Sequence, residues 1–302
     1  MKQESNAQKK FEIKILPIIV ACIVITISVI IAYFTIKDVK SYPTEEIEQN
    51  CNVETYEYAS RKVFKITPKE GTKNNKVILY FHGGAYFAEM TKEHWDFIEK
   101  LVKDTGSMVI LPDYPLAPRH NCVDVFNMVT PLYKEIIEKI NPENLIMMGD
   151  SAGGGLALAL EENISEQGLQ EPEKTILISP WLDLSMENPE IENVKQYDTD
   201  LNYEALVIAG MAYAGEKDIE NYLVSPIYGD LSNLKNITIF TGTYDILNPD
   251  VHILEQKFKE NGTNIKVKEY KKASHIWIIK QNCDEELVKK GYEELLMEVV
   301  NE

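Results

Sequence analysis

Residues 145–160 read LIMMGDSAGGGLALAL, and this stretch decides the fold. It begins with four apolar residues, as expected for a strand that is buried on both faces of a parallel sheet. Small residues then flank a serine in the pattern Gly149-x-Ser151-x-Gly153, and an apolar helical run follows. A strand–turn–helix of this composition lifts a serine hydroxyl above the sheet edge, where it can act as a nucleophile. We therefore expect Ser151 to be a catalytic nucleophile.

Apolar runs alternate with amphipathic ones on both sides of this turn. We predict strands at VILYF (77–81), MVILP (108–112), LIMMG (145–149), TILIS (175–179), ITIFTG (237–242) and IKVKEY (265–270), with a weaker one at VFKIT (63–67). We predict helices at about 92–104, 123–140, 152–166, 250–261 and 284–300. This alternation predicts an α/β fold with a mostly parallel, doubly wound sheet.

A glycine pair, Gly83 and Gly84, follows His82 directly after the strand at 77–81. Backbone N–H groups in such a loop can turn toward a developing negative oxygen, because no side chain blocks the approach of a ligand. The N-terminus of the helix after Ser151 also directs N–H groups and a positive dipole toward an oxyanion. The sequence therefore places two sets of amide donors near the predicted nucleophile.

Two later residues can complete a catalytic set. Asp245 follows a strand end, and His275 follows the last predicted strand on a loop, from which a base can reach back to Ser151. The other four histidines lie in the glycine loop, in two amphipathic helices where we expect them to be solvated or packed, and after a proline-rich loop: His82, His94, His252 and His120.

Taken together, these motifs resemble the hormone-sensitive-lipase-like branch of the α/β-hydrolases. They occur in the family's order over about 195 residues: HGG at 82–84, DYxLAPxH at 113–120, GDSAGG at 149–154, SPWLDLS at 179–185, DIL at 245–247 and the histidine at 275. The chain order Ser, Asp, His is that of this fold. The resemblance implies an α/β-hydrolase fold with a helical cap, carboxylic-ester hydrolysis, and no cofactor.

Carried over onto matching positions, the resemblance implies a catalytic triad and an oxyanion hole. The triad is Ser151, Asp245 and His275, and the oxyanion donors are the amides of Gly83, Gly84 and Ala152. In this mechanism the serine attacks an ester carbonyl while the histidine takes its proton, and water later hydrolyses the acyl-enzyme.

Three departures from the family pattern concern substrate choice. Ala85 replaces the usual third glycine of the loop, Pro115 and Arg119 replace a usual Arg and Glu, and Gly155 stands where relatives often have Asn. None of these positions belongs to the three chemical groups, so the expected reaction type is unaffected.

Charge and cysteine content restrict the partners. The chain of 302 residues has a net charge of −17, and its first 37 residues carry five lysines against two glutamates, so the remainder is at −20. The negative electrostatic field of such a domain repels nucleic acid and anionic lipid headgroups.

The four cysteines form no CxxC pair and have no histidine at metal-ligand spacing, so we expect no zinc site. The expected ligand is a small-molecule ester, and the sequence leaves the oligomeric state open.

An apolar segment near the N-terminus predicts a membrane anchor. Residues 15–36 contain no charge, and as a helix they reach about 33 Å, enough to cross a hydrocarbon core of about 30 Å. Lysines before the segment favour a cytoplasmic tail at 1–14 and an extracytoplasmic catalytic domain on a single-pass cell-membrane protein. The alternative is a lipoprotein processing box that ends at Cys22, which also leaves the domain outside the cell.

The rest of the chain divides into a linker and a catalytic domain. Residues 37–60 are polar and acidic and are predicted to be a linker or the start of a covering segment, whereas 61–302 form the catalytic domain. An insert at about 184–236 is longer than a simple crossover needs. Its apolar segment 201–215 predicts a cap helix, with packing on the core as the alternative, and the segment before residue 63 could complete the lid.

Three functions stay open at this stage. The favoured one is a carboxylesterase, deacetylase or lipase-like enzyme acting on small to medium hydrophobic esters. An amidase or peptidase could use the same triad. A non-catalytic binding protein of the same fold is the third reading, although such proteins typically lack one member of the triad.

Overall fold

The central feature is one eight-stranded sheet. The computed structural model describes residues 42–281 and 283–300. The strands are β1 Cys51–Tyr58, β2 Arg61–Pro68, β3 Val77–Phe81, β4 Met108–Pro112, β5 Leu145–Asp150, β6 Lys174–Ile178, β7 Ile237–Tyr244 and β8 Lys266–Ser274. Their order across the sheet is β1-β2-β4-β3-β5-β6-β7-β8. Only the β1–β2 and β2–β4 pairs are antiparallel. The predicted mostly parallel sheet is confirmed.

The centre of the sheet decides where the site forms. Every residue of β3 and β5 is buried, as their apolar sequences predict. The two strands pair in parallel from Val77 opposite Leu145 to Phe81 opposite Gly149. Because parallel strands end at the same edge of the sheet, the glycine loop after β3 and the serine turn after β5 lie side by side.

Helices cover both faces of the sheet. They are α1 Glu45–Asn50, α2 Lys92–Thr105, α3 Cys122–Lys139, α4 Ala152–Glu166, α5 Ile191–Val194, α6 Tyr203–Ala214, α7 Asn248–Glu260, α8 Trp277–Lys280 and α9 Glu285–Val300, with short 3₁₀ turns at Pro142–Asn144 and Pro226–Tyr228. One apolar core contains side chains of α3, α4, α6 and α7. The core on the opposite face contains side chains of α1, α2, α8 and α9. The sheet is therefore the middle layer of three, and the loops after β3 and β5 lie at its edge.

The segment before residue 61 corrects the linker prediction. Residues 45–50 form a helix that Thr44 caps, and residues 51–58 pair along the whole length of β2. The compact unit that contains the sheet accordingly begins at Tyr42. The sequence is misleading here because an edge strand and a short surface helix expose most of their side chains, so their composition resembles that of a linker. Residues 37–41 of the predicted linker lie outside the described residues, and the expectation that the segment before residue 63 completes a lid stays a prediction.

The insert between β6 and β7 contains α5 and α6, and α6 confirms the helix expected at 201–215. One face of α6 is buried, and its Tyr213 ring stacks on Tyr86 of the glycine loop with ring centroids 3.6 Å apart. Asp198 of the insert accepts a hydrogen bond from the Ile246 amide at 2.9 Å. The insert is thus fastened to two of the loops that form the site.

The predicted cytoplasmic tail at 1–14 and membrane anchor at 15–36 lie outside the described residues. Within residues 42–281 and 283–300, none of the helices is both long and apolar enough to cross a bilayer.

A buried acid in α4 makes stability depend on pH. Glu161 is only 1% exposed, and burial raises the pKa of its carboxyl from 4.5 to about 8. The folded state therefore holds this proton more tightly than the unfolded chain does. The stabilisation that results is fully present below the unfolded pKa and is lost as pH rises through about 8.

We predict that Glu161→Gln increases the free energy of unfolding by roughly 1–4 kcal/mol at pH 8.5 and changes it little at pH 4, because glutamine cannot ionise. Urea denaturation at the two pH values measures the difference. Glu216→Gln, at an exposed site, is the matched control and should show no such dependence. An equal gain at both pH values would contradict the assignment.

Candidate active site

The serine turn is held in a strained backbone conformation. Ser151 has φ +52° and ψ −122°, in a region that costs a non-glycine residue about 1–3 kcal/mol. Its amide donates to the Ile178 carbonyl at 2.9 Å, and its carbonyl accepts from the Trp181 amide at 2.9 Å. Both partners belong to β6 and the loop that follows it. The neighbouring strand therefore fixes the position of the serine.

The glycines of the turn are required by close backbone contacts. A Cβ on Gly153 would lie 2.1 Å from the Phe81 carbonyl oxygen and 2.5 Å from that of His82, and a Cβ on Gly149 would lie 2.3 Å from the Gly153 carbonyl oxygen. Carbon atoms do not approach oxygen that closely, so a side chain at residue 153 would push the serine turn away from the loop after β3, and one at residue 149 would open the turn itself. Gly153 thus allows the two loops to be in direct contact, and Gly149 allows the serine turn to close.

The three side chains expected to form a triad are in hydrogen-bond contact. His275 Nε2 lies 2.9 Å from Ser151 Oγ, and His275 Nδ1 lies 2.9 Å from Asp245 Oδ2. All three residues are buried. Because the carboxylate accepts a hydrogen bond from Nδ1–H, Nε2 carries no proton and can accept the one from the serine hydroxyl. The chain thus brings together groups separated by 124 and 30 residues.

Neighbouring loops hold the acid and the histidine in place. Asp245 Oδ1 accepts from the Leu247 amide at 2.9 Å. The amide of Ile276, next to His275, donates to Ser179 Oγ at 3.1 Å. Asp198 lies close to the Asp245 carboxylate, and burial together with that charge raises the pKa of Asp198. The loop after β6 and the insert therefore position the two groups that accompany the serine.

The amides of the glycine loop correct one expectation. The Gly83 amide already donates to Asp150 Oδ1 at 3.0 Å, so it does not face the serine as an oxyanion donor. In the described part of the chain, the amides of Gly84, Ala85 and Ala152 have no acceptor. The available donors thus begin one residue later than the sequence suggested. The sequence could not show this, because it depends on which peptide Asp150 binds.

A cavity of about 450 Å³ opens beside the serine. Its wall is formed by residues of the glycine loop, α2, the insert, and α8 with the histidine loop: Gly84, Ala85, Ala88, Thr91, Glu93, His94, Ser151, Leu201, Leu206, His275, Ile276, Ile279 and Lys280. Most of the lining surface is apolar, and the charged side chains on it are Glu93 and Lys280. Leu201 and Leu206 show that the insert forms part of the wall.

His94 and Asp150 form a buried pair that the sequence analysis missed. His94 Nε2 lies 3.2 Å from Asp150 Oδ2, and Tyr80 Oη donates to Asp150 Oδ1 at 2.6 Å. Burial alone would favour the neutral acid, but His94 and Tyr80 together hold the pKa of Asp150 below its ordinary value. The sequence predicts only a helical histidine here, solvated or packed, and does not predict its pairing with Asp150. The available signal was Thr91 three residues earlier, the spacing of a capping box.

His82 supports the loop after β3 from a buried position. Burial lowers the pKa of its imidazole to about 4, so the ring is neutral at pH 7. It stacks on Tyr114 with ring centroids 4.5 Å apart, and Tyr114 Oη donates to the His82 carbonyl at 2.6 Å. Tyr114 belongs to the DYxLAPxH motif. This motif therefore contributes to the site by anchoring the end of β3.

Neither a metal nor a cofactor was expected from the sequence. Across residues 42–281 and 283–300, the structure places no three His, Cys, Asp or Glu side chains so that they could hold a metal ion.

Comparisons with known proteins identify the family. A family model described as alpha/beta hydrolase fold matches residues 78–279. A protein named esterase from Acinetobacter venetianus is 32% identical over 198 residues, which cover 65% of this chain and 65% of the relative. An acetyl-hydrolase from Streptomyces hygroscopicus is 28% identical over 206 residues, which cover 68% of this chain and 69% of the relative. The chain thus belongs to the alpha/beta hydrolase fold family, and its resemblance to the hormone-sensitive-lipase-like branch is confirmed.

Solved structures show the same fold. An esterase/lipase from an uncultured bacterium has a TM-score of 0.76 at 24% identity, with 89% of this chain and 90% of that chain covered. An esterase described as a member of the bacterial hormone-sensitive lipase family has a TM-score of 0.75 at 23% identity, with 83% and 86% covered. At these identities the likeness concerns the fold.

We predict that Gly153→Ala lowers kcat for ester hydrolysis at least about 100-fold, because the serine turn must move away from the loop after β3 and a misplacement of about 1 Å costs on that order. Steady-state kinetics with p-nitrophenyl acetate measures the loss. Gly262→Ala, in an open surface turn with φ +76°, adds backbone strain but no steric contact, so it is the control and should keep its kcat. A Gly153→Ala variant with normal kcat would show that the contact is not needed.

Proposed function

We propose that this protein is a serine carboxylic-ester hydrolase. The observation that carries the proposal is the contact of Ser151 Oγ with His275, itself hydrogen-bonded to buried Asp245, at the wall of an apolar cavity. The names of the relatives, esterase and acetyl-hydrolase, support the same reaction class.

In the proposed acylation step, Ser151 Oγ attacks the ester carbonyl carbon while its proton passes to His275 Nε2. Asp245 keeps the imidazole in the correct tautomer and stabilises the imidazolium that forms. The carbonyl oxygen becomes an oxyanion and receives hydrogen bonds from the amides of Gly84, Ala85 and Ala152. Each such donor contributes about 3–4 kcal/mol to the lowering of the barrier in comparable enzymes. The imidazolium then protonates the leaving alcohol.

In the second half of the cycle, water replaces the alcohol. His275 accepts a proton from the water, which attacks the acyl-enzyme carbonyl through a second tetrahedral intermediate in the same oxyanion hole. Collapse of this intermediate releases the carboxylic acid and returns the proton to Ser151. The set of groups is therefore sufficient for hydrolysis without a cofactor.

The cavity favours small to medium hydrophobic esters. A volume of about 450 Å³ with a mostly apolar wall suits a compact substrate. The insert acts as the cap in this proposal, because its Leu201 and Leu206 complete the wall. Apolar contacts with these side chains would supply binding energy, and the hydrogen bonds at the oxyanion would select the reacting carbonyl.

We predict that Ser151→Ala lowers kcat for p-nitrophenyl butyrate by at least about 1,000-fold, because the nucleophile is removed while the oxyanion donors stay. A fluorophosphonate probe should label the wild type at residue 151 and should not label the variant. Ser165→Ala, on the same helix and away from the cavity, is the control. Equal turnover by Ser151→Ala and the wild type would overturn the proposal.

We also propose that residues 15–36 anchor the enzyme in the cell membrane, with residues 1–14 in the cytoplasm and the catalytic domain outside. The support is the sequence itself, in which 22 uncharged residues lie between Lys14 and Lys37 with more lysines before the run than after it.

We expect the full chain to stay in the membrane fraction after an alkaline wash, and protease added to intact cells to digest the catalytic domain. Introducing two charges with Ile25→Lys and Val29→Lys should move activity to the soluble fraction, since each lysine costs about 2.5–3.5 kcal/mol at the bilayer centre. Ile25→Leu with Val29→Leu is the matched control. A wild-type protein that washes off the membrane would rule out the anchor.

A further inference from the structure

His94 lies in the cavity wall but outside the Ser–His–Asp set. We infer that His94 is a positioning residue for the oxyanion loop, and that it acts through Asp150. The inference rests on the proposed ester hydrolysis and adds a pair of side chains that orients the amide donors. Three successive contacts carry it.

The first contact fixes the protonation of the His94 ring. The Thr91 amide donates to His94 Nδ1 at 3.1 Å, so Nδ1 is an acceptor. The proton of the neutral ring is therefore on Nε2, which lies 3.2 Å from Asp150 Oδ2 and donates to it. The capping interaction at the start of α2 thus determines that His94 presents a donor to Asp150.

The second contact concerns the charge of Asp150. This residue is fully buried, and an ionised carboxylate in such a place is tolerated only when donors surround it. Oδ2 accepts a hydrogen bond from His94 Nε2, while Oδ1 accepts hydrogen bonds from Tyr80 Oη and the Gly83 amide. All three donors come from elements that meet at the end of β3. His94 is the one of the three that also borders the substrate cavity.

The third contact connects the carboxylate to the oxyanion donors. Asp150 is covalently adjacent to Ser151, and it binds the amide of Gly83, which directly precedes the available amide of Gly84. If His94 is removed, the carboxylate must either take up a proton or attract other donors. Either change alters its hold on Gly83 and moves the Gly84 amide from the place where the oxyanion develops. The pair therefore sets the geometry of the hole without contacting the reacting atoms.

The test compares four full-length variants by steady-state kinetics with p-nitrophenyl acetate. We expect His94→Ala to lower kcat about 10- to 100-fold with less than about a threefold change in KM. His94→Gln should recover most of the loss, because the glutamine amide can donate in place of Nε2. Asp150→Asn in the His94→Ala background should add little, because the two residues act as a unit. His252→Gln, at an exposed histidine of α7, should behave as the wild type.

A transition-state analogue separates positioning from a general structural role. A trifluoromethyl ketone forms a tetrahedral adduct on the serine and places an oxyanion in the hole, whereas the matching methyl ketone binds without this charge. In His94→Ala the inhibition constant of the trifluoromethyl ketone should rise in parallel with the loss of kcat/KM, and that of the methyl ketone should stay unchanged.

Two results would overturn the role of His94. One is a normal kcat in His94→Ala, and the other is an equal weakening of both ketones, which would indicate substrate contact or loss of structure. If His94→Ala fails to fold, the same comparison made with the single variant Asp150→Asn decides the question, with His94→Gln as the control expected to stay close to the wild type. A wild-type protein that neither hydrolyses esters nor reacts with fluorophosphonate contradicts the proposed function instead, so the two failures are distinguishable.

Discussion

The contact between the start of α4 and the loop after β3 is the constraint on which the site depends. Backbone atoms of Gly153 approach those of Phe81 and His82 so closely that a single methyl group would not fit. Because β3 and β5 are adjacent parallel strands, this contact places the serine hydroxyl beside the amides of the glycine loop. His275 then has to contact only the fixed Ser151 hydroxyl, and Asp245 has to contact only His275. A shift of about 1 Å between the two loops would separate the nucleophile from its oxyanion donors.

Buried charge is the second feature that orders the site. Asp150 and Asp245 are both fully buried near the serine turn. Each carboxylate accepts a hydrogen bond from one backbone amide and one from a histidine. The two histidines have different roles, because His275 keeps one nitrogen available for the serine whereas both nitrogens of His94 are occupied. The insert adds a third carboxylate, Asp198, which holds the loop of the triad acid. The insert is therefore structurally coupled to the proposed triad.

Local patterns in the sequence were enough to predict the sheet and the three side chains that the structure brings into hydrogen-bond contact. Buried parallel strands have continuous apolar sequences. For that reason the sequence reveals the strands that precede Ser151, Asp245 and His275. The orientation of a peptide group is not encoded locally. The engagement of the Gly83 amide by Asp150 depends on a contact across 67 residues, and His94 reaches its partner across 56. The strand at 51–58 was missed because edge strands are half exposed and can be as polar as linkers.

The most direct test of the account is a crystal structure of the enzyme inactivated by a phosphonate ester, whose phosphorus mimics the tetrahedral carbon of the ester reaction. We predict a covalent bond from phosphorus to Ser151 Oγ and a phosphonyl oxygen within about 3 Å of the amide nitrogens of Gly84, Ala85 and Ala152. His275 Nε2 should lie next to Ser151 Oγ or the leaving-group position. A phosphonyl oxygen bound by the Gly83 amide, or directed away from the loop, would contradict the account.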